Sequence, residues 1–240
     1  MTLLELEPRT LRAFDTLAPG TREALRHVYA PTADRFVRLN MITSLTGAAA
    51  GDDGTSESLT NRVDRLILGI IRELADVVVV GAQSVRAEGY IVPRRARLAI
   101  VTSSGDLTGH RLALAEGAAS DQVIVICPAD RADAIRSHPD AAGITVLPVP
   151  GPAPLSPRDI LTVLAEEGHR RVVCEGGPSL ASQFAAAGVI DEYCLTVAPV
   201  LEPVSSPFLR LARDQRVATR VVGHLVDETG FTYLRLRPAG

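Results

Sequence analysis

Short apolar runs alternate with amphipathic stretches along the chain from residue 35 onward. Six runs have the length and hydrophobicity of buried strands: 36–42, 77–81, 97–102, 122–127, 144–147 and 171–174. Four stretches have helical character: 60–74, 130–136, 156–167 and 178–187. Strands that alternate with helices are typical of an α/β fold with a largely parallel sheet, and the sequence predicts that architecture.

The carboxyl-terminal part of the chain has a different pattern. Three apolar stretches at 193–197, 220–225 and 231–236 follow one another without helices between them. Residues 226–230 have the composition of a hairpin turn. The sheet is therefore predicted to finish with antiparallel strands.

The alternation also suggests how the chain is divided. It continues on both sides of the proline-rich segment 148–157, so this segment is predicted to be a surface loop within one domain, residues 35–240. Residues 1–34 carry helical patches such as 22–29. We expect them to form an amino-terminal extension packed on the domain or on a partner subunit.

The helix predicted at 60–74 has the clearest apolar face. Its apolar residues recur at helical spacing: Val63, Leu66, Ile67, Ile70, Ile71 and Leu74. Thr60 is a plausible N-cap. A second face carries Arg62, Arg65 and Arg72, which is either a solvated helix surface or a grip for a phosphorylated substrate.

The segment EGGPSL at 175–180 is the strongest local signal for a bound ligand. Glu175 ends a buried strand, Gly176 and Gly177 form a turn, and Pro178 suits the first position of a helix. Glycines let a ligand approach the backbone, and the start of a helix favours a phosphate. Ligands of open α/β sheets bind at the carboxyl ends of the strands, where this turn is predicted to lie.

Composition narrows the function classes. The chain has 240 residues, a formal charge of −3, no tryptophan and no lysine, so its 25 basic residues are all arginine. An acidic balance and few stacking residues argue against nucleic-acid binding. The absence of lysine excludes Schiff-base chemistry and a phosphate-binding lysine of the P-loop type.

The first residues, the length of the apolar runs and the cysteines bear on the location of the protein in the cell. The first residues are acidic and the apolar runs are short, so neither a secretory signal nor a membrane span is predicted, and a cytoplasmic location is expected. Cys127, Cys174 and Cys194 lie far apart among apolar neighbours. They suggest neither disulfides nor a metal site, and we expect no metal.

Two further segments join EGGPSL to make a recognisable set: NMITSLTG at 40–47 and VVVVGAQSVRAEG at 77–89. Together they resemble the reductase domain of riboflavin biosynthesis, over roughly residues 35–240. The resemblance implies a dihydrofolate-reductase-like three-layer α/β/α fold, NADPH as the cofactor, a ribosylamino-pyrimidine phosphate as the substrate, and a homodimer. The deaminase signature His-x-Glu with Pro-Cys-x-x-Cys does not occur, so base deamination is not expected.

The resemblance also assigns site residues. Those expected to bind the cofactor are Thr43, Ser58, Ser84, Glu88, Ser103, Gly176, Gly177, Pro178, Ser179 and Leu180. Those expected to bind the substrate are Ser56, Arg72, Val92, Arg95 and Glu175. Ser58 stands where the family commonly has an aromatic residue.

Two positions depart from the family pattern Lys-x-x-x-Ser-Leu-Asp-Gly. Asn40 stands at the lysine position and Thr46 at the aspartate position. Both polar groups are expected to face the site and are candidates for the chemical step. The proton donor stays open between Glu175 and a water molecule held by Asn40 or Thr46.

These departures leave two alternatives. The first is dihydrofolate as the substrate, with Asp64 or Glu57 supplying the carboxylate that faces the amino-pyrimidine edge of the pterin. The second is a module that binds NADPH without catalysis. Turnover with either substrate, or binding without turnover, distinguishes the three.

Overall fold

The computed structural model describes residues 1–114, 119–138 and 143–239. The helices are α1 (Thr21–Val28), α2 (Arg62–Glu73), α3 (Ala82–Glu88), α4 (Ala132–Arg136), α5 (Pro157–Glu166) and α6 (Pro178–Ala186). The strands are β1 (Thr2–Glu7), β2 (Ala13–Asp15), β3 (Phe36–Ser44), β4 (Val77–Gly81), β5 (Tyr90–Val92), β6 (Arg97–Val101), β7 (Leu112–Leu114), β8 (Val123–Pro128), β9 (Thr145–Val149), β10 (Arg171–Gly176), β11 (Glu192–Ala198), β12 (Thr219–Asp227) and β13 (Thr232–Pro238). Short 3-10 turns lie at Glu57–Leu59, Ser120–Gln122 and Ala129–Arg131.

One large sheet organises the molecule, in the order β2-β1-β12-β13-β11-β3-β10-β4-β6-β8-β9. The pairings from β11 to β9 are parallel. Those from β11 to β2 are antiparallel. The predicted α/β class, with a mostly parallel sheet and antiparallel strands at its end, is confirmed.

Helices cover both faces of the sheet. Alternate residues of β4 point to opposite faces: Val77 and Val79 join the core under α5 and α6, whereas Val78 and Val80 join the core under α3. Helices α1 and α2 pack on the α3 side through a third apolar cluster, which includes Ile70. A strand buried on both faces reads as a continuous apolar run, which explains why VVVV was recognisable in the sequence.

The structure adds elements that the sequence patterns did not reveal. Helix α3 and the small parallel sheet of β5 and β7 lie in segments for which no element was predicted. In the amino-terminal extension, β1 pairs with β12 and β2 pairs with β1, so this segment extends the main sheet. These strands are short, and their pattern alone does not distinguish them from loops.

The predicted N-cap of α2 was wrong by one residue. The cap is Asn61, whose side chain accepts a hydrogen bond from the backbone N–H of Asp64 at 2.8 Å. Thr60 instead donates its hydroxyl to the Asp64 carboxylate at 2.6 Å. Asparagine caps as well as threonine, and with both in sequence the local pattern could not choose.

A buried ion cluster lies at the amino-terminal end of β11. Glu192 is fully buried and accepts hydrogen bonds from Arg38, Arg235 and Arg237. Burial raises the pKa of Glu192, but the hydrogen bonds from Arg235 and the charge of Arg38 outweigh it and hold the pKa below its usual value. The carboxylate therefore ties β3, β11 and β13 together as an ionised group.

We predict that Glu192→Gln lowers the free energy of unfolding at neutral pH by about 3–5 kcal/mol, because it leaves buried guanidinium groups without a counter-charge. The measurement is urea denaturation, with the exposed Glu166→Gln as a matched control expected within about 0.5 kcal/mol of wild type.

The pH dependence has a definite sign. Because the folded pKa of Glu192 is depressed, its stabilisation is complete above the usual glutamate pKa and is lost as pH falls through the folded value. The gap between wild type and Glu192→Gln should narrow in acid. A gap that is absent at neutral pH would contradict the assignment.

Candidate functional site

A cleft lies at the carboxyl ends of β4, β6 and β10. It has a volume of about 500 Å³, within the range of small-molecule sites. Segments from four places form most of its lining: 49–50, 81–84, 101–104 and 176–180. The two glycine-containing segments from the sequence set, 77–89 and 175–180, therefore meet in one place.

The turn between β10 and α6 is held against α3. Gly176 has φ +81°, and a Cβ added there would lie 2.9 Å from the sulfur of Met41, so this position requires glycine. The N–H of Gly177 donates to the hydroxyl oxygen of Ser84 at 2.9 Å. Ser84 thus fixes the turn and also lines the cleft.

The first turn of α6 presents backbone donors. Its first intrahelical bond runs from the N–H of Ala181 to the carbonyl of Gly177 at 3.0 Å. The N–H groups of Ser179 and Leu180 precede that bond, and Pro178 has none. Both residues line the cleft, so the start of this helix has the geometry of an anion site.

Three hydroxyl side chains follow the end of β6, on the side of the cleft opposite α6: Thr102, Ser103 and Ser104. Two of the three are used by the local loop: Thr102 accepts from the N–H of Gly105 at 3.1 Å, and Ser104 accepts from the N–H of Asp106 at 3.2 Å. Ser103 is exposed, lines the cleft and makes no hydrogen bond to the described residues. Its hydroxyl is available to a ligand.

Glu88 lines the cleft and forms a hydrogen bond with Ser56, a residue predicted to bind the substrate. The hydroxyl of Ser56 donates to the Glu88 carboxylate at 2.7 Å. Two predicted cofactor residues lie away from this lining. Thr43 is buried and donates to the carbonyl of Ser44, and Ser58 donates to Asp53.

Glu175 faces the side of the sheet that α2 covers. Its two oxygens accept hydrogen bonds from Arg72, Nε to Oε1 at 2.8 Å and Nη2 to Oε2 at 2.7 Å, and the hydroxyl of Tyr90 also donates to Oε2. Arg72 lies 5.2 Å from the centre of the Tyr90 ring. The Glu175 carboxylate therefore orients two donors, Arg72 and Tyr90. Both of its oxygens already accept hydrogen bonds from these residues.

The charges in this triad reinforce one another. Burial lowers the pKa of Arg72, but the charge and hydrogen bonds of Glu175 outweigh it and raise the pKa above its usual value. Burial and the charge of Glu175 raise the pKa of Tyr90 well above its usual value. Arg72 and Tyr90 both keep their protons at neutral pH.

The structure gives Thr46 a loop-closing role. Its hydroxyl donates to the carbonyl of Glu202 and accepts from the N–H of Glu202 at 3.0 Å, and it also contacts the hydroxyl of Ser44. Glu202 lies far from Thr46 in the sequence, so no local pattern indicates this partner. Asn40 is half-buried on the interior of β3.

None of the predicted substrate residues belongs to the described cleft lining: Ser56, Arg72 and Glu175 make the contacts given above, and the other three lie elsewhere. Asp64 is buried, and its oxygens accept from Thr60 at 2.6 Å and from Thr196 at 2.7 Å. Burial raises the pKa of Asp64, although those hydrogen bonds partly lower it. The side chain of Val92 is completely buried, so it cannot touch a substrate here, and Arg95 is exposed on the surface.

Sequence reasoning missed several residues of the site. Tyr90 directly follows the recognised segment, and its aromatic ring was a signal that could have been used. Gln183 is one helical turn beyond Ser179 and could have been found from helix periodicity. Arg210 comes from a long loop between β11 and β12 that no local pattern connects to the cleft.

Within the described ranges, no group of histidine, cysteine and acidic side chains has the arrangement of a metal site. Among the same residues, no helix has the length and hydrophobicity needed to cross a bilayer.

Comparison with solved structures defines the fold. The fold matches that of a pyrimidine reductase-like protein from Corynebacterium diphtheriae, with a TM-score of 0.70, 22% sequence identity, and coverage of 90% of this chain and 99% of that one. At this identity the likeness establishes the fold. It is the mixed α/β fold of pyrimidine reductase-like proteins.

Sequence comparison then gives the family. The model of the RibD C-terminal domain matches residues 35–202, and the chain belongs to this family. The riboflavin biosynthesis protein RibD of Bacillus amyloliquefaciens is 30% identical over 173 residues, 69% of this chain and 46% of that protein. RibD of Mycobacterium tuberculosis strain H37Rv is 29% identical over 162 residues, 66% of this chain and 40% of that protein. The chain thus spans less than half the length of these relatives.

The contact between Gly177 and Ser84 can be tested by a double-mutant cycle. A Cβ at position 177 would lie 2.5 Å from the Ser84 oxygen but 3.9 Å from its Cβ. We predict that Gly177→Ala costs about 1–3 kcal/mol in wild type and at least about 1 kcal/mol less in a Ser84→Ala background, measured by urea unfolding. Additive costs would contradict the geometry.

Proposed function

We propose that this chain is an NADPH-dependent reductase of the riboflavin-pathway type, acting on 5-amino-6-(5-phosphoribosylamino)uracil or a close relative. The observation that carries the proposal is the cleft at the carboxyl edge of the sheet, where the Gly177 turn, Ser84 and Ser103 come together. Membership of the RibD C-terminal domain family supports the same reaction class.

The lining fits a dinucleotide. The N–H groups of Ser179 and Leu180 at the start of α6 suit a pyrophosphate. Gly177, which closely approaches Ser84, has no side chain that would block the ligand. The free hydroxyl of Ser103 suits the ribose or its 2′-phosphate. When bound, NADPH would supply a hydride to an electrophilic C=N or C=O carbon.

The residues of this chain would then orient the substrate and exclude competing contacts. In the proposal, the triad of Arg72, Tyr90 and Glu175 forms a rigid polar wall on the α2 side of β10. Arg72 and Tyr90 are held protonated by their raised pKa values, and the oxygens of Glu175 accept hydrogen bonds from both. We therefore assign proton delivery to a water molecule next to Asn40.

The dihydrofolate alternative needs a carboxylate that is open to the amino-pyrimidine edge of a pterin. Asp64 does not meet that need, since both of its oxygens already accept threonine hydroxyls and the residue is 9% exposed. Glu57 is exposed and forms an ion pair with Arg65. The family comparison also favours the pyrimidine substrate.

The resemblance further supports a homodimer in the cytoplasm, which we include in the proposal. Three exposed apolar side chains that flank the Thr46–Glu202 contact in sequence, Leu45, Leu201 and Val204, suit contact with another surface. Light scattering after size-exclusion chromatography measures the association state.

The first test is nucleotide binding. We expect NADPH to bind wild type, measured by calorimetry, and Ser103→Ala to raise the Kd for NADPH by about 10-fold through loss of a hydrogen bond to a charged group. Ser137→Ala, an exposed hydroxyl outside the cleft lining, is the control and should bind as wild type does. A wild type that does not bind NADPH would end the proposal.

The second test separates the substrates. Oxidation of NADPH should be rapid with 5-amino-6-(5-phosphoribosylamino)uracil and absent with dihydrofolate. Turnover with dihydrofolate alone would reverse the assignment. Tight NADPH binding with no turnover on either compound would identify a non-catalytic module.

A further inference from the structure

The loop between β11 and β12, residues 199–218, brings a cationic side chain to the cleft. Most of this loop lies beyond residues 35–202, the region that the family model matches. Arg210 lines the cleft together with Gln183 and Ser206. No assignment made from the family segments includes Arg210.

The backbone of Arg210 is anchored to the first turns of α6. Its N–H donates to the hydroxyl oxygen of Ser182 at 2.7 Å. Ser182 is nearly buried, and its own hydroxyl donates to the carbonyl of Pro178. Two consecutive hydrogen bonds therefore place Arg210 beside the helix start whose free N–H groups face the cleft.

The charged groups of the cleft single out Arg210. Only three charged residues are found in the described lining: Arg86, Glu88 and Arg210. Arg86 is committed to the carbonyls of Thr108 at 3.0 Å and Asp106 at 2.6 Å. Glu88 accepts the hydroxyl of Ser56.

The Arg210 guanidinium, in contrast, is exposed and makes no hydrogen bond or ion pair to any residue in the described ranges. A free guanidinium beside a helix start is a geometry that binds a phosphate oxygen pair.

We propose that Arg210 binds the pyrophosphate of the nicotinamide dinucleotide, opposite the backbone donors of α6; this inference rests on the proposed function. Distance argues against contact with a 2′-phosphate at Ser103. Strand β10, which leads into α6, is separated from β6 by β4, which amounts to two strand spacings, or about 9–10 Å. Arg210 lies on the α6 side of that gap.

The test compares Arg210→Gln with Arg213→Gln, an exposed arginine of the same loop that is absent from the cleft lining. Calorimetry would measure Kd for NADPH, NADH and ADP, which share a diphosphate but differ in the 2′-phosphate and the nicotinamide. We expect Arg210→Gln to raise all three Kd values by about 10-fold and Arg213→Gln to leave them unchanged. Arg210→Lys should recover part of the loss, and the thermal midpoint should stay that of wild type.

Each other outcome has a definite meaning. Unchanged Kd values in Arg210→Gln, or a loss limited to NADPH, would overturn the pyrophosphate assignment. A fall in thermal midpoint that Arg210→Lys does not repair would assign the loss to the fold and also overturn it. A wild type that binds ADP through Arg210 but binds neither dinucleotide would instead overturn the proposed function and retain the anion site.

Discussion

The hydrogen bond from the Gly177 N–H to the Ser84 hydroxyl joins the two halves of the cleft. It ties the turn after β10 to the helix after β4, two strands that are neighbours in the sheet. Because both residues sit where their strands end, the bond fixes the width of the cleft as well as the direction of α6. The donors of α6 lie on the helix that begins beside this bond, and the backbone of Arg210 is anchored to the same helix through Ser182.

Arginine performs every cationic role in this protein, and the consequences differ by location. At the amino edge of the sheet, Arg38 and Arg235 converge on Glu192 and hold three strands together. At the carboxyl edge of the sheet, Arg72 forms a bidentate ion pair with Glu175. A guanidinium suits both places because its planar fork satisfies two acceptor atoms at once and keeps its charge when buried.

The sequence was sufficient for most of the central sheet. Buried parallel strands are continuous apolar runs, so β4 and β8 were readable without tertiary information. The glycine turn at 176–177 was readable because few residue types tolerate its backbone and close contacts. Placing that turn next to Ser84 required the family resemblance.

What escaped prediction depended on partners distant in sequence. Thr46 bonds to Glu202, and nothing near Thr46 in the chain indicates that partner. Arg72 and Glu175 were both expected to touch substrate, and they touch each other. Complementary charges on facing elements form ion pairs across the structure. A single sequence does not show which predicted site residues pair with each other in this way.

The pairing of β1 with β12 has a consequence for the order in which the protein assembles. Leu3 lies opposite Asp227, so almost the whole chain separates the two partners in this ladder. Contacts of such high sequence separation close late, because the loop between them must first be ordered. On a ribosome, β1 has to wait, with only β2 paired beside it, until β12 has emerged from the exit tunnel.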